Sequence, residues 1–229
     1  GAQILFEVLK KEGVEVMFGY PGGVVLGSYD EMCRQSLRHI LVRHEQGAIH
    51  AADGYARASG KVGVCLVTSG PGATNTVTGN ANAYMDSIPV VVFTGQVPTG
   101  LIGNDAFQEV DITGITRPCT KHNFLVRRVE DLGRTIHEAF HIASSGRPAP
   151  VLIDLPRDVS GAALNESDIS YDFDLEIEPP KPKDEQISKV IDMIREAKRP
   201  LIVTGGGVLL ARASDDLRTF GLIRTFLSF

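Results

Sequence analysis

The 229-residue sequence has no tryptophan and only three cysteines, Cys33, Cys65 and Cys119, which are widely spaced and form no CxxC pair. An odd and scattered set of thiols argues against a disulfide framework and against a zinc site. It fits a reducing compartment, so we expect a cytoplasmic protein. No stretch approaches the roughly 18 apolar residues that span a bilayer. The N-terminus lacks the pattern of a signal peptide.

Excess positive charge and the serine-hydrolase motif are also missing. Lys and Arg number 23 against 28 Asp and Glu, a formal net charge of −5. This balance argues against nucleic acid or an anionic membrane as the main partner. The six histidines include one HExxH spacing, "HEAFH" (His137–His141), and there is no GxSxG. Serine hydrolases therefore have little support, and the single HExxH match is only a weak indication of zinc, because a lone motif needs a matching structural context. What remains is ordinary globular composition, 43% hydrophobic and 22% charged.

Short apolar runs alternate with helical patterns over the first 160 residues. Six runs predict strands: Val14–Tyr20, His39–Arg43, Gly63–Ser69, Ile88–Gly95, Asn123–Val129 and Ala149–Pro156. Five segments predict helices: Ala2–Glu12, Val24–Gln35, Gln46–Ser59, Gly72–Met85 and Asp131–Ser144. The alternation predicts an α/β fold with a mainly parallel sheet flanked by helices. Ligands of such sheets bind outside the carboxyl ends of the strands.

The composition of the sequence changes after residue 160. An acidic and then Pro/Lys-rich segment predicts a linker over 161–184. A helix over Glu185–Arg199, a strand over Pro200–Gly207 and a further helical pattern predict the start of a second α/β domain over 185–229, too short for a core of its own. We therefore predict a first domain over 1–160, a linker, and part of a second domain, and we interpret the chain as a fragment of a longer protein.

Glu45 stands where a predicted strand meets a small-residue helix, in "LVRHEQGAIHAADGYARASG" (41–60). One interpretation is a first-turn acid that is stabilised by the helix dipole. The other is a buried acid that is poised for proton transfer. The helix N-terminus favours the carboxylate, whereas desolvation favours the neutral acid. The sequence leaves both interpretations open.

Two glycine-rich turns follow predicted strands, "FGYPGG" (18–23) and "TSGPGATN" (68–75). Their glycines permit close approach of a ligand to the backbone. Taken alone, the first is better explained as a tight turn between a strand and a helix than as a site. The second opens a helix and by itself suggests anion or phosphate binding. However, it lacks the lysine of a P-loop, and GxGxxG is absent.

A predicted loop and one arginine complete the set of candidate site residues. The loop is "GNDAFQEVD" (103–111), in which the sequence shows no structural role for Gln108. Loop residues of this kind often carry function, but a surface turn is the default. Arg147, in "SGRPAP", follows a predicted helix, where a cation is favourable in any case.

These segments, together with "IPVVVFTGQVP" and "SGRPAPVLIDLPRDV", occur in the order and spacing of the acetohydroxyacid synthase (acetolactate synthase) catalytic-subunit family. The chain resembles this family over Gly1–Val159 and again over Glu185–Leu217. The resemblance implies that residues 1–160 form the pyrimidine-binding domain of a thiamine-diphosphate enzyme. It also implies that the whole protein condenses pyruvate with pyruvate or 2-ketobutyrate, with loss of CO2, in the first step of branched-chain amino-acid biosynthesis.

The resemblance assigns roles to single positions. Glu45 matches the acid that hydrogen-bonds N1′ of the aminopyrimidine ring and stabilises the imino tautomer, whose 4′-nitrogen removes the proton from thiazolium C2. The matches to other cofactor contacts are Tyr20, Gly23, Pro71, Gly72 and Asn75. The remaining matches are Phe107 and Gln108 at an active site shared across a dimer interface, Arg147 as an FAD contact, and Arg157 near the substrate channel. These assignments replace the phosphate interpretation of "TSGPGATN".

The resemblance also implies partners. In the family, the diphosphate and Mg2+ are held by a C-terminal domain with a GDG…N motif, so no metal ligand is assigned within this chain. We expect FAD as a second cofactor, a homodimer, and a regulatory small subunit as a candidate partner. We expect no acetolactate formation by these 229 residues alone. The sequence departs from the family at Arg157, where Lys is typical, at Val24, where Ala is usual, and in the tail from Arg218.

Two alternatives remain at this point. One is another thiamine-diphosphate enzyme, such as pyruvate oxidase, glyoxylate carboligase or an FAD-free catabolic acetolactate synthase. "DAFQEVD" together with Arg147 favours the synthase, and the carboligase lacks an acid at the position of Glu45. The other alternative is a non-catalytic folded domain or dimerisation module.

Overall fold

The structure, a computed structural model, describes residues 1–165 and 181–223. The chain divides into two units, Gly1–Ile177 and Glu178–Phe229. Most of the predicted linker, and residues 224–229 of the atypical tail, lie outside the described residues. The boundaries predicted at residues 160 and 184 therefore stay predictions.

The first unit is built on a six-stranded sheet in the order β2-β1-β3-β4-β6-β5. The strands are β1 (Val16–Tyr20), β2 (Arg38–Leu41), β3 (Gly63–Val67), β4 (Val90–Gln96), β5 (His122–Leu125) and β6 (Val151–Pro156). All five pairings are parallel. Every residue of β3, β4 and β6 is buried, as expected for strands that are covered on both faces. The predicted fold class is confirmed, and each predicted strand of this unit forms.

Eleven α-helices occur in the described residues. They are α1 (Ala2–Lys11), α2 (Leu26–Arg34), α3 (Glu45–Ser59), α4 (Pro71–Thr74), α5 (Val77–Asp86), α6 (Ile112–Thr116), α7 (Val129–Ser144), α8 (Arg157–Gly161), α9 (Asp184–Glu196), α10 (Gly206–Leu210) and α11 (Ser214–Ile223). Three short 3-10 helices occur at Gly23–Val25, Thr99–Leu101 and Arg117–Cys119.

Helices cover both faces of the sheet. Helices α1, α2 and α7 share one apolar cluster, which includes Phe6 and Ile136. Helices α3, α5 and α6 share the other, which includes Ile49. Phe93 belongs to the first cluster and Val92 to the second, because successive side chains of a strand point to opposite faces.

Helix α3 begins where the chain leaves β2. His44 is its N-cap residue, and the Nδ1 atom of His44 accepts a hydrogen bond from the Gln46 N–H at 3.1 Å. This bond satisfies one of the free N–H groups of the first turn. The helix ends at Gly60, which adopts φ +71°, a left-handed conformation suited to glycine. The cap fixes Glu45 as the first residue of the helix.

One predicted helix is broken. The segment predicted as Gly72–Met85 forms two helices, α4 and α5, with Asn75 and Thr76 between them. The Thr76 hydroxyl donates to the Ala73 carbonyl at 2.7 Å, and this local bond competes with a regular helical ladder. The break places the Asn75 side chain beside the start of α3.

The prediction of a strand over Pro200–Gly207 is wrong. Residues 200–205 form no regular element, and α10 begins at Gly206. A parallel strand is stable only where neighbouring strands satisfy its backbone N–H and C=O groups, and no strand occurs among residues 181–223. This part of the chain is helical where it is regular. No helix in the described part of the chain has the length and apolar character needed to cross a membrane.

Candidate functional site

Three separate segments meet at the carboxyl end of the sheet. Gly22, after β1, lies so close to the turn after β3 that a Cβ atom there would stand 2.5 Å from the Cβ of Thr68. Gly70, in the turn after β3, has φ +54°, and a Cβ there would stand 2.5 Å from the carbonyl oxygen of Gln108. The loop after β4 therefore rests directly on that turn. We call this edge the rim. As the topology rule predicted, both glycine-rich turns lie on it.

Glu45 lies at the rim with its two carboxyl oxygens in different environments. The residue is 8% exposed. Its Oε2 atom accepts a hydrogen bond from Asn75 Nδ2 at 2.9 Å. Its Oε1 atom faces Gly72, where a Cβ would come within 3.2 Å, and it accepts no hydrogen bond from the described residues. Glu45 is thus both the first residue of a helix and a buried acid. A carboxyl held in this way can share a proton with a ring nitrogen at its free oxygen.

Two hydroxyl groups in the turn after β3 lack partners. Thr68 is 8% exposed and Ser69 is 1% exposed, and the Oγ1 and Oγ atoms, respectively, are buried without a hydrogen bond in the described part of the chain. Buried polar atoms in native proteins are normally hydrogen-bonded. Unpaired hydroxyls in a turn of the rim therefore indicate a site built for a polar ligand. Sequence reasoning named the turn but missed these two residues, although polar side chains directly after an apolar strand were a signal.

The other predicted cofactor contacts lie in the two turns. Tyr20 is the last residue of β1, is half-buried and pairs in register with Val67. Gly23 is exposed at the start of a 3-10 helix, with open space where a Cβ would be. Pro71 is the first residue of α4, adjacent to Gly72. The structure brings all three to the rim, and their cofactor roles stay predictions.

The loop that carries Phe107 and Gln108 is held by Glu109. The Glu109 carboxylate accepts hydrogen bonds from the backbone N–H groups of Gly103 and, at 2.9 Å, Ala106. These bonds hold the pKa of Glu109 below its usual range. Gln108 is exposed and adopts φ +57°, and Phe107 is 87% exposed. The loop thus reaches the rim through the Gln108 backbone while the Phe107 side chain faces outward.

Arg147 is engaged away from Glu45. Its Nε atom donates to the Ser87 hydroxyl at 2.8 Å, and its Nη2 atom donates to the carbonyls of Tyr84 and Met85 at 3.3 and 3.2 Å. These groups belong to the C-terminus of α5, so the guanidinium caps that helix. The sequence suggested a favourable position after the preceding helix α7, but the helix that Arg147 caps is α5. The predicted FAD contact stays a prediction.

Arg157 is the exposed first residue of α8, directly after β6. The next residue, Asp158, accepts hydrogen bonds from the Thr99 N–H at 3.0 Å and the Thr99 hydroxyl at 2.5 Å. This pair ties the end of β6 to the beginning of the loop after β4. Arg157 therefore stands near the rim, and its role in a substrate channel stays a prediction.

Sequence reasoning also missed a buried carboxyl on β6. Asp154 is 2% exposed and accepts hydrogen bonds from the Thr94 hydroxyl at 2.8 Å and from Gln96 Nε2 at 2.9 Å. Burial raises the pKa of Asp154 to about 7, against the lowering effect of the two hydrogen bonds, and the charge of Asp111 raises it further. The signal was present, since Asp154 is the only ionisable residue in the apolar strand "VLIDLP".

Comparisons with known proteins agree with this geometry. The chain is 51% identical over 221 residues to a probable acetolactate synthase large subunit of Methanocaldococcus jannaschii, an overlap of 95% of this chain and 37% of the relative. It is 52% identical over 225 residues to an acetolactate synthase of Mycobacterium bovis, covering 95% and 36%. It is 50% identical over 222 residues to an acetolactate synthase large subunit of Lactococcus lactis, covering 96% and 39%. The chain thus spans 36% to 39% of the length of these relatives.

A family match covers the rim itself. Residues 1–115 match the family described as "Thiamine pyrophosphate enzyme, N-terminal TPP binding domain". The matched range contains Glu45, Asn75, both glycine-rich turns and the loop with Gln108, so the resemblance predicted from the sequence is confirmed at the level of this family. The chain belongs to the family of thiamine pyrophosphate enzymes and contains their N-terminal TPP-binding domain.

Proposed function

We propose that this chain supplies the pyrimidine-binding side of the active site of an acetolactate synthase large subunit. The observation that carries the proposal is the Glu45 carboxyl, with one oxygen fixed by Asn75 and the other free toward Gly72. The names of the relatives that match nearly the whole chain give the reaction class.

The residues at the rim fit the aminopyrimidine end of thiamine diphosphate. When bound, that cofactor supplies the carbanion chemistry of the reaction. Glu45 Oε1 would hold the proton that is shared with the ring nitrogen, and the Asn75 amide keeps the carboxyl in one orientation. Gly72 lets the start of α4 approach the carboxyl closely, because a Cβ there would stand 2.6 Å from the Thr68 methyl and 3.2 Å from Glu45 Oε1. Thr68 and Ser69 offer unpaired hydroxyls to polar atoms of the ligand.

The finer parts of the proposal concern the whole protein, of which this chain spans 36% to 39% of the length of its relatives. They are pyruvate and 2-ketobutyrate as substrates, a homodimer with shared active sites, a regulatory small subunit, and a cytoplasmic location. FAD and Mg2+ belong to the same proposal. No residue of this chain is assigned to Mg2+, and the exposed Arg147 could offer its Nη1 N–H groups to FAD while Nε and Nη2 bind the end of α5. We do not propose turnover by this chain alone.

Glu45→Gln in the complete enzyme tests the proposal. Glutamine keeps the shape of the side chain but cannot share a proton with a ring nitrogen. We expect the exchange of the thiamine C2 proton with solvent deuterium, followed by proton NMR, to slow by at least about 100-fold, within the range of general acid–base catalysis.

The matched control is Asp53→Asn, on the same helix. Asp53 is 3% exposed and accepts hydrogen bonds from Arg57 and Asn82, remote from the carboxyl end of the sheet. Its substitution should lower stability and leave C2 exchange per folded molecule unchanged. Unchanged exchange in Glu45→Gln would remove Glu45 from its assigned role.

A further inference from the structure

The buried carboxyl of Asp154 is the end of a continuous set of hydrogen bonds that reaches the loop carrying Gln108. Asp154 lies opposite Thr94 on β4 and opposite Leu125 on β5. Its Oδ2 atom accepts from Gln96 Nε2 at 2.9 Å, at the last residue of β4. The polar pair is thus built into the centre of the sheet, where an unsatisfied group would be costly.

Gln96 passes this contact on to the loop. Its side-chain NH2 group has two hydrogens, and Nε2 donates both to Asp154 and, at 2.9 Å, to the carbonyl of Val110. Its Oε1 atom accepts from the Val97 N–H at 2.9 Å. The Gln96 amide has therefore a single orientation that satisfies all three partners. Val110 ends the loop whose Gln108 carbonyl rests on Gly70 at the rim.

We propose that Asp154 and Gln96 are positioning residues, which hold the loop bearing Gln108 in its place against the Glu45 rim. The inference rests on the proposed function only in that Gln108 is taken as an active-site residue. The hydrogen bonds themselves are independent of any cofactor. Neither residue touches the site, so each acts through the backbone of the loop.

The charge state of Asp154 sets the strength of its hydrogen bond with Gln96. As a carboxylate, Asp154 accepts a charge-assisted hydrogen bond from Gln96, which is stronger than a bond between neutral groups. When it is protonated, its bond to Gln96 weakens. Thr94 and Leu125 beside it are uncharged, and helices α4 and α6, which contact β4 and β6 respectively, contain no ionisable residue. Helix α3, which also contacts β4, carries the buried carboxyls of Glu45 and Asp53, which are held by Asn75 and Arg57 respectively. Asp111, the N-cap residue of α6, is the charged group that acts on Asp154.

NMR titration of the full chain tests the proposal directly. In the wild-type chain, the amide resonances of Val97 and Gln108 should both shift with one common midpoint near pH 7, the pKa of Asp154. In Asp154→Asn, which keeps the shape and cannot ionise, both shifts should be absent between about pH 5 and about pH 9, because the hydrogen bonds through Gln96 then begin at a group that does not titrate.

A second variant tests whether Gln96 connects the titration of Asp154 to the loop. Gln96→Met keeps the length of the side chain and removes both donors. We expect the Thr94 amide to report the titration of Asp154 with a midpoint above pH 7, because the lowering hydrogen bond from Gln96 is gone, while the Gln108 amide loses its own titration. Asp53→Asn, a buried aspartate between α3 and α5, is the control and should leave the Gln108 titration unchanged.

Two results would overturn the proposal. One is a Gln108 titration that survives in Asp154→Asn or in Gln96→Met. The other is a wild-type chain in which Val97 titrates and Gln108 does not. Neither result depends on thiamine diphosphate, so the outcome is distinguishable from a failure of Glu45→Gln to slow C2 exchange.

Discussion

Helices α7 and α9 share an amphipathic sequence pattern but differ in how far their apolar residues are buried. Both have apolar residues at helical spacing. Seven residues of α7 are buried, including Leu132, Ile136 and Phe140, whereas no residue of α9 is buried, and Ile187 and Val190 are 44% and 55% exposed. The first helix lies on a six-stranded sheet, while the second belongs to a unit with no strand among residues 181–223. An amphipathic pattern therefore predicts a helix, but a second layer is needed to bury it.

Strands show the same dependence more strongly. Strand β6 and the segment 200–205 are both rich in branched apolar residues, but only β6 lies between two neighbouring strands. A helix satisfies its own backbone, whereas a strand depends on its neighbours. The helix predicted over Glu185–Arg199 accordingly forms as α9, and the strand predicted after it does not. The two units therefore differ in how much each substitution should matter.

The largest expected effect is a pH dependence that is confined to the sheet unit. Asp154 binds its proton more tightly in the folded chain, where its pKa is about 7, than in the unfolded chain, where the usual value is 3.8. Its contribution to stability is complete below about pH 4 and is lost as the pH rises through 7. The loss is on the order of 4 kcal/mol at roughly 1.4 kcal/mol per unit of pKa.

Urea denaturation at a series of pH values measures this effect. The free energy of unfolding of the wild type, minus that of Asp154→Asn, should fall between about pH 4 and about pH 7. Ile191→Ala, on the exposed helix α9, is the comparison in the other unit and should give a flat difference, because it removes no ionisable group. A flat difference for Asp154→Asn as well would contradict the assignment of a buried, proton-binding carboxyl.

The next effect comes from matched isoleucines on the two helices. Ile136 on α7 is fully buried, whereas Ile191 on α9 is 39% exposed. Ile136→Ala should lower the free energy of unfolding of the sheet unit by about 3 kcal/mol, through lost burial and the cavity left behind. Ile191→Ala should change the free energy of unfolding of its own unit by less than about 0.5 kcal/mol, as for surface substitutions. Equal losses in thermal or urea denaturation would mean that α9 is as well covered as α7.

The smallest effect is expected at two equally exposed side chains. Phe107 at the rim and Val203 in the second unit are both 87% exposed. Substitution of either by Ala should change the free energy of unfolding by less than about 0.5 kcal/mol. A loss above about 1 kcal/mol for Phe107→Ala, measured by urea denaturation, would show that its ring supports the fold, and would weaken its assignment to the active site.

Much of the sheet unit could be predicted, because its signals are local. Strands β3, β4 and β6 are continuous apolar runs, and the topology rule placed the glycine-rich turns at their carboxyl ends. The break between α4 and α5 was missed because it depends on one hydroxyl, that of Thr76, which bonds back to a carbonyl. Periodicity does not register a bond of this kind.

The pairings of the polar interior could not be predicted, since the partners are distant in the sequence. Asp154 pairs with residues 58 and 60 positions away, and Arg147 caps a helix that ends about 60 residues earlier. Glu45 and Asn75 are 30 positions apart and meet only because α3 and α4 begin at the same edge of the sheet. The sequence suggested which residues carry chemistry, while the fold decided which of them touch.

The contact between Gly70 and Gln108 makes two loops a single surface. Backbone touches backbone there, in a space where even one methyl group would stand 2.5 Å from the Gln108 carbonyl oxygen. The loop after β4 therefore cannot be redesigned on its own, because any movement of its backbone toward the sheet would collide with the turn after β3. An engineer who wishes to alter what this rim accepts must treat residues 68–75 and 103–111 as one unit of design. The same interlock transmits a change in either segment to the side of the rim where Glu45 lies.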